Sequence, residues 1–165
     1  MTVVCYREGV IAADRMTSTK DDLMPGYRTK IFKVGNILCG SAGSSNDAVL
    51  FREWVEKDRA LTKPELADEH FEALLIDNGV LYRGNYKLSF VAIENKYDAI
   101  GNGDMVAFGA MYMGATAEQA VLAACHHVLG CGGGVDVLRL DAQPSVEPSA
   151  SAAAAPKPSM GTMGT

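Results

Sequence analysis

Four residues in the N-terminal part of the chain could together support acyl transfer: Thr2, Asp14, Lys30 and Gly43. A threonine hydroxyl is a weak nucleophile unless a base accepts its proton. A free α-amino group on the same residue can be that base, because its pKa lies near 8. A lysine beside the amine lowers this pKa by like-charge repulsion, a carboxylate holds the lysine, and a glycine turn offers a backbone N–H to the oxyanion.

Each of the four residues also has an ordinary structural interpretation. Thr2 and Lys30 can simply start strands, Asp14 can end one, and Gly43 can occupy a turn. The residues alone therefore leave open whether Thr2 is a nucleophile or the first residue of a strand.

Other kinds of catalytic or binding site have less support in the sequence. His126 and His127 lie between Cys125 and Cys131, but neighbouring helical positions diverge by about 100° and do not both face one metal ion. No Gly-x-Ser-x-Gly motif occurs, and the glycine-rich stretches lack the Lys-Ser/Thr ending of a phosphate loop. We therefore expect neither a metal nor a cofactor.

Composition limits the class of protein and its partners. The chain of 165 residues fits one domain, and its net charge of −5 without a basic run argues against nucleic acid as a partner. No apolar stretch approaches 18 residues and no leader pattern is present, so we expect neither a membrane span nor secretion. The four cysteines show no Cys-x-x-Cys spacing, which is typical of reduced thiols and a cytoplasmic location.

The composition changes near residue 141. Residues 141–165 consist mainly of Ala, Ser, Pro and Gly, which offer too little apolar surface to offset the entropy of ordering. We predict a folded domain over residues 1–140 and a disordered tail over 141–165, which either only solubilises the chain or also docks a partner.

The hydrophobic pattern within the domain predicts hairpins that alternate with helices. Glu8-Gly9, Gly35-Asn36 and Asn78-Gly79 mark three hairpin turns. Ser44 with Asp47, and Thr116 with Gln119, predict capping boxes at two helix starts. The second helix should carry an apolar face that consists of Val121, Leu122, Cys125, Val128 and Leu129. Residues 59–69 fit a connection or a short helix, and a further helix should end at Met113. The fold class is therefore α+β, with antiparallel sheets and helices outside them.

Five segments carry a resemblance to a known family. They are TVVCYREGVIAADRMTS, TKIF, CGSAGSSNDA, YDAIGNGDMVAFGAMYMGATAEQAVLAA and GGGVDVLRL, which follow in order over residues 2–140. The chain thereby resembles the N-terminal-nucleophile (Ntn) threonine peptidases of the proteasome β-subunit and HslV type. That resemblance implies a four-layer αββα sandwich of two antiparallel sheets, with subunits stacked in rings around an inner chamber.

The resemblance implies roles for individual residues. Thr2 corresponds to the nucleophile and base once Met1 is removed, Asp14 and Lys30 to the carboxylate and lysine, and Gly43 to the oxyanion turn. Ser18 lies where a contact to the substrate backbone is expected. Small side chains at Ser41 and Ser45, near the family's specificity pocket, suggest room for a sizeable substrate side chain.

Two accessory positions depart from the family pattern. Asn102 replaces the serine of Ala-Ile-Gly-Ser-Gly, and Val128 and Cys131 stand where an aspartate and a serine are usual. Asn102 can still donate and accept hydrogen bonds, whereas a thiol at Cys131 is only a weak donor. The resemblance thus implies an intact catalytic core with altered groups around it.

The resemblance favours a threonine-type endopeptidase that hydrolyses peptides or unfolded proteins inside a homo-oligomeric ring. An ATP-dependent unfoldase is an expected partner, and the chemistry needs no cofactor. Two alternatives stay open at this point: a catalytically silent ring-forming relative, and another Ntn amide hydrolase that acts on a small amide.

Overall fold

The computed structural model describes residues 2–17, 26–60 and 62–141. Within these ranges the chain forms eleven strands and three helices. In chain order they are β1 Val4–Arg7, β2 Val10–Asp14, β3 Met16–Thr17, β4 Gly26–Tyr27, β5 Ile31–Val34, β6 Ile37–Ala42, α1 Ser45–Glu56, β7 Glu72–Asp77, β8 Val80–Asn85, β9 Phe90–Ile93, β10 Tyr97–Ile100, α2 Asp104–Tyr112, α3 Ala117–His127 and β11 Val135–Arg139.

The strands form two large antiparallel sheets. The first sheet has the order β10-β1-β2-β11, and the second is the meander β5-β6-β7-β8-β9. The three predicted hairpin turns are confirmed, since β1 pairs with β2, β5 with β6 and β7 with β8. A two-stranded sheet of β3 and β4 was not predicted, because each of its strands has only two residues.

Alternation along the strands divides the core into three layers. In β1, Val4 packs between the two sheets, whereas Cys5 faces α2 and α3 on the outside of the first sheet. On the other side, α1 packs Phe51 and Trp54 on the outer face of the second sheet. The layer order is therefore helices, sheet, sheet, helix, and the predicted αββα sandwich is confirmed.

The two expected capping boxes have different outcomes. At α3 the Thr116 hydroxyl accepts from the Gln119 N–H, and the Gln119 side chain accepts from the Thr116 N–H, so this box is confirmed. At α1 the prediction was wrong. The Ser44 side chain makes no capping hydrogen bond there, because the Asp47 carboxylate accepts instead from the Asp68 N–H at 2.7 Å.

The buried face of α3 also differs from the prediction. The helix buries Ala120, Val121 and Ala124, whereas Leu122 is exposed and Leu129 beyond the helix is 90% exposed. Small alanines allow a close approach to the sheet, so the larger residues are left on the outside. In the 59–69 connection, the described residues contain no helix.

Three further observations concern possible partners and ligands. No helix among the described residues is long and apolar enough to cross a membrane. The same part of the chain contains no cluster of metal-ligating side chains. All four cysteines are free thiols.

The closest approach of the two sheets generates a first prediction. A Cβ on Gly40 of β6 would lie 2.6 Å from Val4 Cγ1 and 2.9 Å from Ile31 Cγ2, so Gly40→Ala should destabilise the fold by about 1–3 kcal/mol. Gly109 in α2 has no atom within 4 Å of such a Cβ, so Gly109→Ala should instead stabilise by about 0.5–1 kcal/mol. Urea unfolding of both variants measures the difference, and equal effects would contradict the packing described.

Candidate active site

Thr2 lies buried at the start of the first sheet and borders a cleft of about 570 Å³. The cleft is formed by the ends of both sheets and the loops that follow them. Its lining residues are Thr2, Ala42, Gly43, Asp68, His70, Glu72, Gly101 and Asn102. Three residues singled out from the sequence, Thr2, Gly43 and Asn102, therefore border the same cleft.

Asp14 is fully buried at the end of β2, directly behind the Thr2 segment. Its Oδ1 accepts from the Val3 N–H at 2.9 Å and from Lys30 Nζ at 2.7 Å. Its Oδ2 accepts from the Gly132 N–H at 3.1 Å. Three protein donors thus replace water around the Asp14 carboxylate. One of them, the Val3 N–H, belongs to the residue that follows Thr2.

Lys30 is the buried cation that partners Asp14. Its side chain is 1% exposed, and Nζ also donates to the Met16 carbonyl. Burial lowers the pKa of Lys30 below its ordinary value, and the hydrogen bond and charge of Asp14 oppose that shift. The Lys30 ammonium and the Val3 N–H therefore donate to the same carboxylate oxygen, Oδ1 of Asp14.

Cys131 belongs to the same neighbourhood as Asp14 and Lys30. It immediately precedes Gly132, and burial together with the charge of Asp14 raises the pKa of the Cys131 thiol to about 11. The thiol is therefore neutral near pH 7. It can act only as a weak hydrogen-bond donor, not as a thiolate nucleophile.

The β10–α2 turn holds the backbone of Thr2. The Thr2 carbonyl accepts from the Gly103 N–H at 3.2 Å. Gly101 has φ +90°, and a Cβ there would overlap the Thr2 carbonyl oxygen. The glycines of this turn therefore permit an approach that a larger residue would prevent. Asn102, between them, is exposed at the cleft.

The turn containing Gly43 is held by a chain of two carboxylates. Asp47, buried in the first turn of α1, accepts from the Asp68 N–H at 2.7 Å. Asp68 Oδ2 in turn accepts from the Ser44 N–H at 2.7 Å. Gly43 has φ +126°, and a Cβ there would lie 2.7 Å from the same Asp68 oxygen. The connection before β7 thus fixes the backbone beside the cleft.

A second ionic network crosses between the sheets below the cleft. Arg83 Nη2 donates to Glu72 Oε1 at 2.6 Å, and Nη1 donates to Asp98 Oδ1 at 3.3 Å. The remaining oxygen of Glu72 accepts from the Gly101 N–H at 3.2 Å. Burial raises the pKa of Asp98, and the charge of Arg83 opposes this. The network joins β7 and β8 to the turn that contacts Thr2.

Sequence reasoning missed Asp68, His70 and Glu72 as cleft residues. His70 lies before β7 and is exposed at the cleft. These residues occur in a polar connection and at a strand edge, where their types are common. Only the pairing of β6 with β7 brings them to Gly43 and Thr2.

The three serines proposed to contact substrate have separate positions. Ser41 is buried in β6, its N–H donates to the Lys30 carbonyl at 3.2 Å, and it borders a small cavity of about 90 Å³. Ser45 is exposed at the start of α1 and borders neither this cavity nor the cleft. Ser18 lies outside the described residues.

The burial of the Asp14–Lys30 pair generates a second prediction. Asp14→Asn should lower the free energy of unfolding by roughly 3–5 kcal/mol, because it leaves the Lys30 ammonium buried without its carboxylate. The matched variant Asp136→Asn removes a half-exposed pair with Arg15 at 3.6 Å and should cost at most about 1 kcal/mol. Thermal and urea unfolding give both values. If the two variants lower the free energy of unfolding by similar amounts, the buried pair contributes no more to stability than the half-exposed pair.

Comparison by sequence finds no relative of this chain. No model of a known protein family matches it, and neither does any curated protein. Comparison by structure, in contrast, gives many matches among solved structures.

Two matching structures are of Thiobacillus denitrificans BPH, one of them in complex with epoxomicin. Each is 17% identical and matches over 86% of this chain and 99% of the other, with TM-scores of 0.62 and, for the complex, 0.61. The eukaryotic HslV of Trypanosoma brucei is 17% identical over 83% of this chain and 97% of its own, with a TM-score of 0.60. The resemblance to HslV-type proteins is confirmed at the level of architecture: the chain has the Ntn-hydrolase sandwich fold of these structures.

Proposed function

We propose that this protein is a threonine-type endopeptidase whose nucleophile is Thr2. The observation that carries the proposal is the hydrogen bonding of Asp14, whose Oδ1 accepts from both Lys30 Nζ and the Val3 N–H. This arrangement supports the proposal, because Lys30 and the N–H of the residue after Thr2 share one carboxylate oxygen, and Thr2 itself borders a cleft of about 570 Å³. Acyl transfer by Thr2 needs a base, which is its own α-amine, a charge that tunes the pKa of that amine, and space for the substrate.

Thr2 Oγ1 attacks the carbonyl carbon of the scissile amide, and its proton passes to the α-amino group of the same residue. The positive charge of Lys30 lowers the pKa of that amine, so that it can accept the proton near neutral pH. The tetrahedral oxyanion is stabilised by the Gly43 turn. The C–N bond then breaks, the leaving amine takes the proton, and water hydrolyses the threonyl ester by the reverse sequence.

Two accessory groups complete the proposed site. Asn102 borders the cleft and offers an amide that can bond to the α-amino group or to substrate. Cys131 contributes a neutral thiol near Asp14 and Lys30. Because a thiol is a weaker donor than a hydroxyl, we expect slow turnover compared with a site that has serine there.

We propose a substrate class and a domain organisation together with this activity. Peptides and unfolded proteins are the substrates, residues 1–140 form the catalytic domain and residues 141–165 a tail. The four free thiols suit the reducing conditions of the cytoplasm. An ATP-dependent unfoldase would deliver folded proteins to an enclosed chamber, and no cofactor takes part.

Removal of Met1 and labelling of Thr2 form the third prediction. Thr2 must be the N-terminal residue, because an acylated amine cannot act as a base. The intact mass of the purified protein should therefore be lower by one methionine. Epoxomicin, an epoxyketone found bound to Thiobacillus denitrificans BPH, needs a hydroxyl and an adjacent free amine. It should add once per chain.

Two substitutions test the assignment to Thr2. Thr2→Ala should abolish both labelling and peptide hydrolysis, whereas Thr2→Ser should retain part of each because serine keeps the hydroxyl and the amine. A protein that has lost Met1 and is folded, yet takes no label, would be a catalytically silent relative. Hydrolysis of small amides without hydrolysis of peptides would identify a different amide hydrolase.

Assembly of copies of this chain is the fourth prediction. Five of the ten large apolar side chains that are exposed among the described residues lie on α2, α3 and the loops that follow them: Met105, Tyr112, Met113, Leu122 and Leu129. Such a surface is unusual on a monomer, and we propose that a second copy covers it in a ring. Light scattering should give a mass several times 17.5 kDa.

A double variant tests which surface is used. Met113→Lys with Leu129→Lys should dissociate the assembly, because it places two charges in the apolar contact. The matched control Val91→Lys changes an exposed apolar residue of β9 and should leave the mass unchanged, as should deletion of residues 142–165. A monomer over the whole micromolar range would contradict the ring.

A further inference from the structure

A second cavity, of about 90 Å³, is bordered by Lys30, and the side chains that line it carry an unusual charge. Among the described residues, its lining contains three cationic side chains and no carboxylate, although the chain as a whole has a net charge of −5. The lining residues are Arg28, Thr29, Lys30, Ile31, Phe32, Ser41, Ala48, Val49 and Arg52.

Two of the three cations already have anionic partners. Lys30 pairs with Asp14 at 2.7 Å, and Arg52 pairs with Glu56, also at 2.7 Å. Arg28 differs from both. Among the described residues no carboxylate lies within ion-pair distance of its guanidinium, and its buried Nε has no hydrogen-bond acceptor. Burial lowers the pKa of Arg28, and no acidic neighbour within the described ranges offsets that shift.

A guanidinium with a buried, unsatisfied N–H is an arrangement that an anion can complete. Arginine presents a planar set of donors that matches the two oxygens of a carboxylate. A cavity of about 90 Å³ has room for a carboxylate on one or two methylenes.

The position of the cavity connects it with Thr2. Ser41 borders the cavity, and its N–H donates to the Lys30 carbonyl at 3.2 Å. The next two residues, Ala42 and Gly43, border the cleft that contains Thr2. Only the end of β6 therefore separates the two spaces. A peptide acylated on Thr2 can extend along this strand end and place one side chain in the smaller cavity.

We propose that this cavity is an anion subsite that selects an aspartate or glutamate at the residue whose carbonyl Thr2 attacks, with Arg28 as the specificity-determining residue. This inference rests on the proposed peptidase function and names its substrate class. The expectation from Ser41 and Ser45, that the subsite accepts a sizeable side chain, stays a prediction, and the present inference adds the charge of that side chain. The anion is the side chain of the substrate, not a peptide C-terminus.

The test is a series of otherwise identical fluorogenic peptide amides that carry Glu, Gln, Leu or Arg before the scissile bond. Glu and Gln have the same shape, so their ratio of kcat/KM isolates the charge. The native protein should prefer Glu over Gln at least about tenfold, as expected for a close charge pair. Arg28→Gln should bring the ratio to about one, and Arg28→Lys should retain part of it.

Matched measurements separate failure of this inference from failure of the proposed function. Arg139→Gln changes an exposed arginine of β11 and should leave the Glu/Gln ratio unchanged. Epoxomicin labelling of Arg28→Gln should still occur at Thr2, which shows that the variant is folded and reactive. If the native protein takes the label but prefers Gln or Leu, or if Arg28→Gln keeps the preference for Glu, the anion subsite is wrong and the peptidase stands.

Two further outcomes would also overturn the subsite. Acetylglycine carries only a terminal carboxylate. If it inhibits the native protein but not Arg28→Gln while the Glu/Gln ratio is one, the cavity binds product C-termini instead of an acidic side chain. If the native protein neither takes the label nor hydrolyses any peptide, the proposed function fails, and the subsite fails with it.

Discussion

The buried carboxylate of Asp14 is the interaction on which the rest of the site depends. It is fully excluded from solvent and accepts from three donors, the Val3 N–H, Lys30 Nζ and the Gly132 N–H. These donors come from the start of β1, the segment before β5 and the loop before β11. A desolvated anion is tolerable only when such donors replace its water. The need of the buried Asp14 carboxylate for donors therefore brings three separate segments together around it, and Thr2 is adjacent to one of these segments.

The opposite wall of the cleft is built on the second sheet. Asp47 and Asp68 hold the turn after β6, while Glu72 and Arg83 link β7 and β8 to the turn after β10. Each link uses a carboxylate to satisfy a backbone N–H outside regular structure, where an unpaired N–H would be costly. Where the strands end beside the cleft, carboxylates therefore replace the hydrogen-bond ladder as acceptors for the backbone N–H groups.

The two spaces beside Thr2 have opposite electrostatic character. The larger cleft is lined by the carboxylates of Asp68 and Glu72, whereas the smaller cavity is lined by Arg28, Lys30 and Arg52. In both places most charged side chains form an ion pair or a hydrogen bond with another group of the protein. Among the described residues, Arg28 Nε at the cavity and Asp98 Oδ2 in the Arg83 network are buried without a hydrogen-bond partner. Charge complementarity of this kind affects which ligands are accepted more than it affects overall stability.

Local patterns in the sequence determined the elements of this fold. The hairpins at Glu8-Gly9 and Asn78-Gly79 follow from turn residues between alternating strands, and the Thr116–Gln119 capping box follows from its spacing. The proximity of Asp14 and Lys30 was expected only through a family resemblance. Their spacing of sixteen residues does not itself imply contact, and sheet pairing with packing is what joins them.

The tertiary structure alone decided the other features of the site. Ser44 and Asp47 have the spacing of a capping box, but Asp47 accepts from Asp68 because a distant connection offers a buried N–H. Likewise, nothing near Arg28 in the sequence indicates a cavity without carboxylates, since that property depends on β6 and α1 packing beside it. Short-range propensities select turns and caps, whereas the pairing of distant polar groups depends on which segments the sheets bring together. The sequence therefore determined the layers of this protein, and packing determined its cleft.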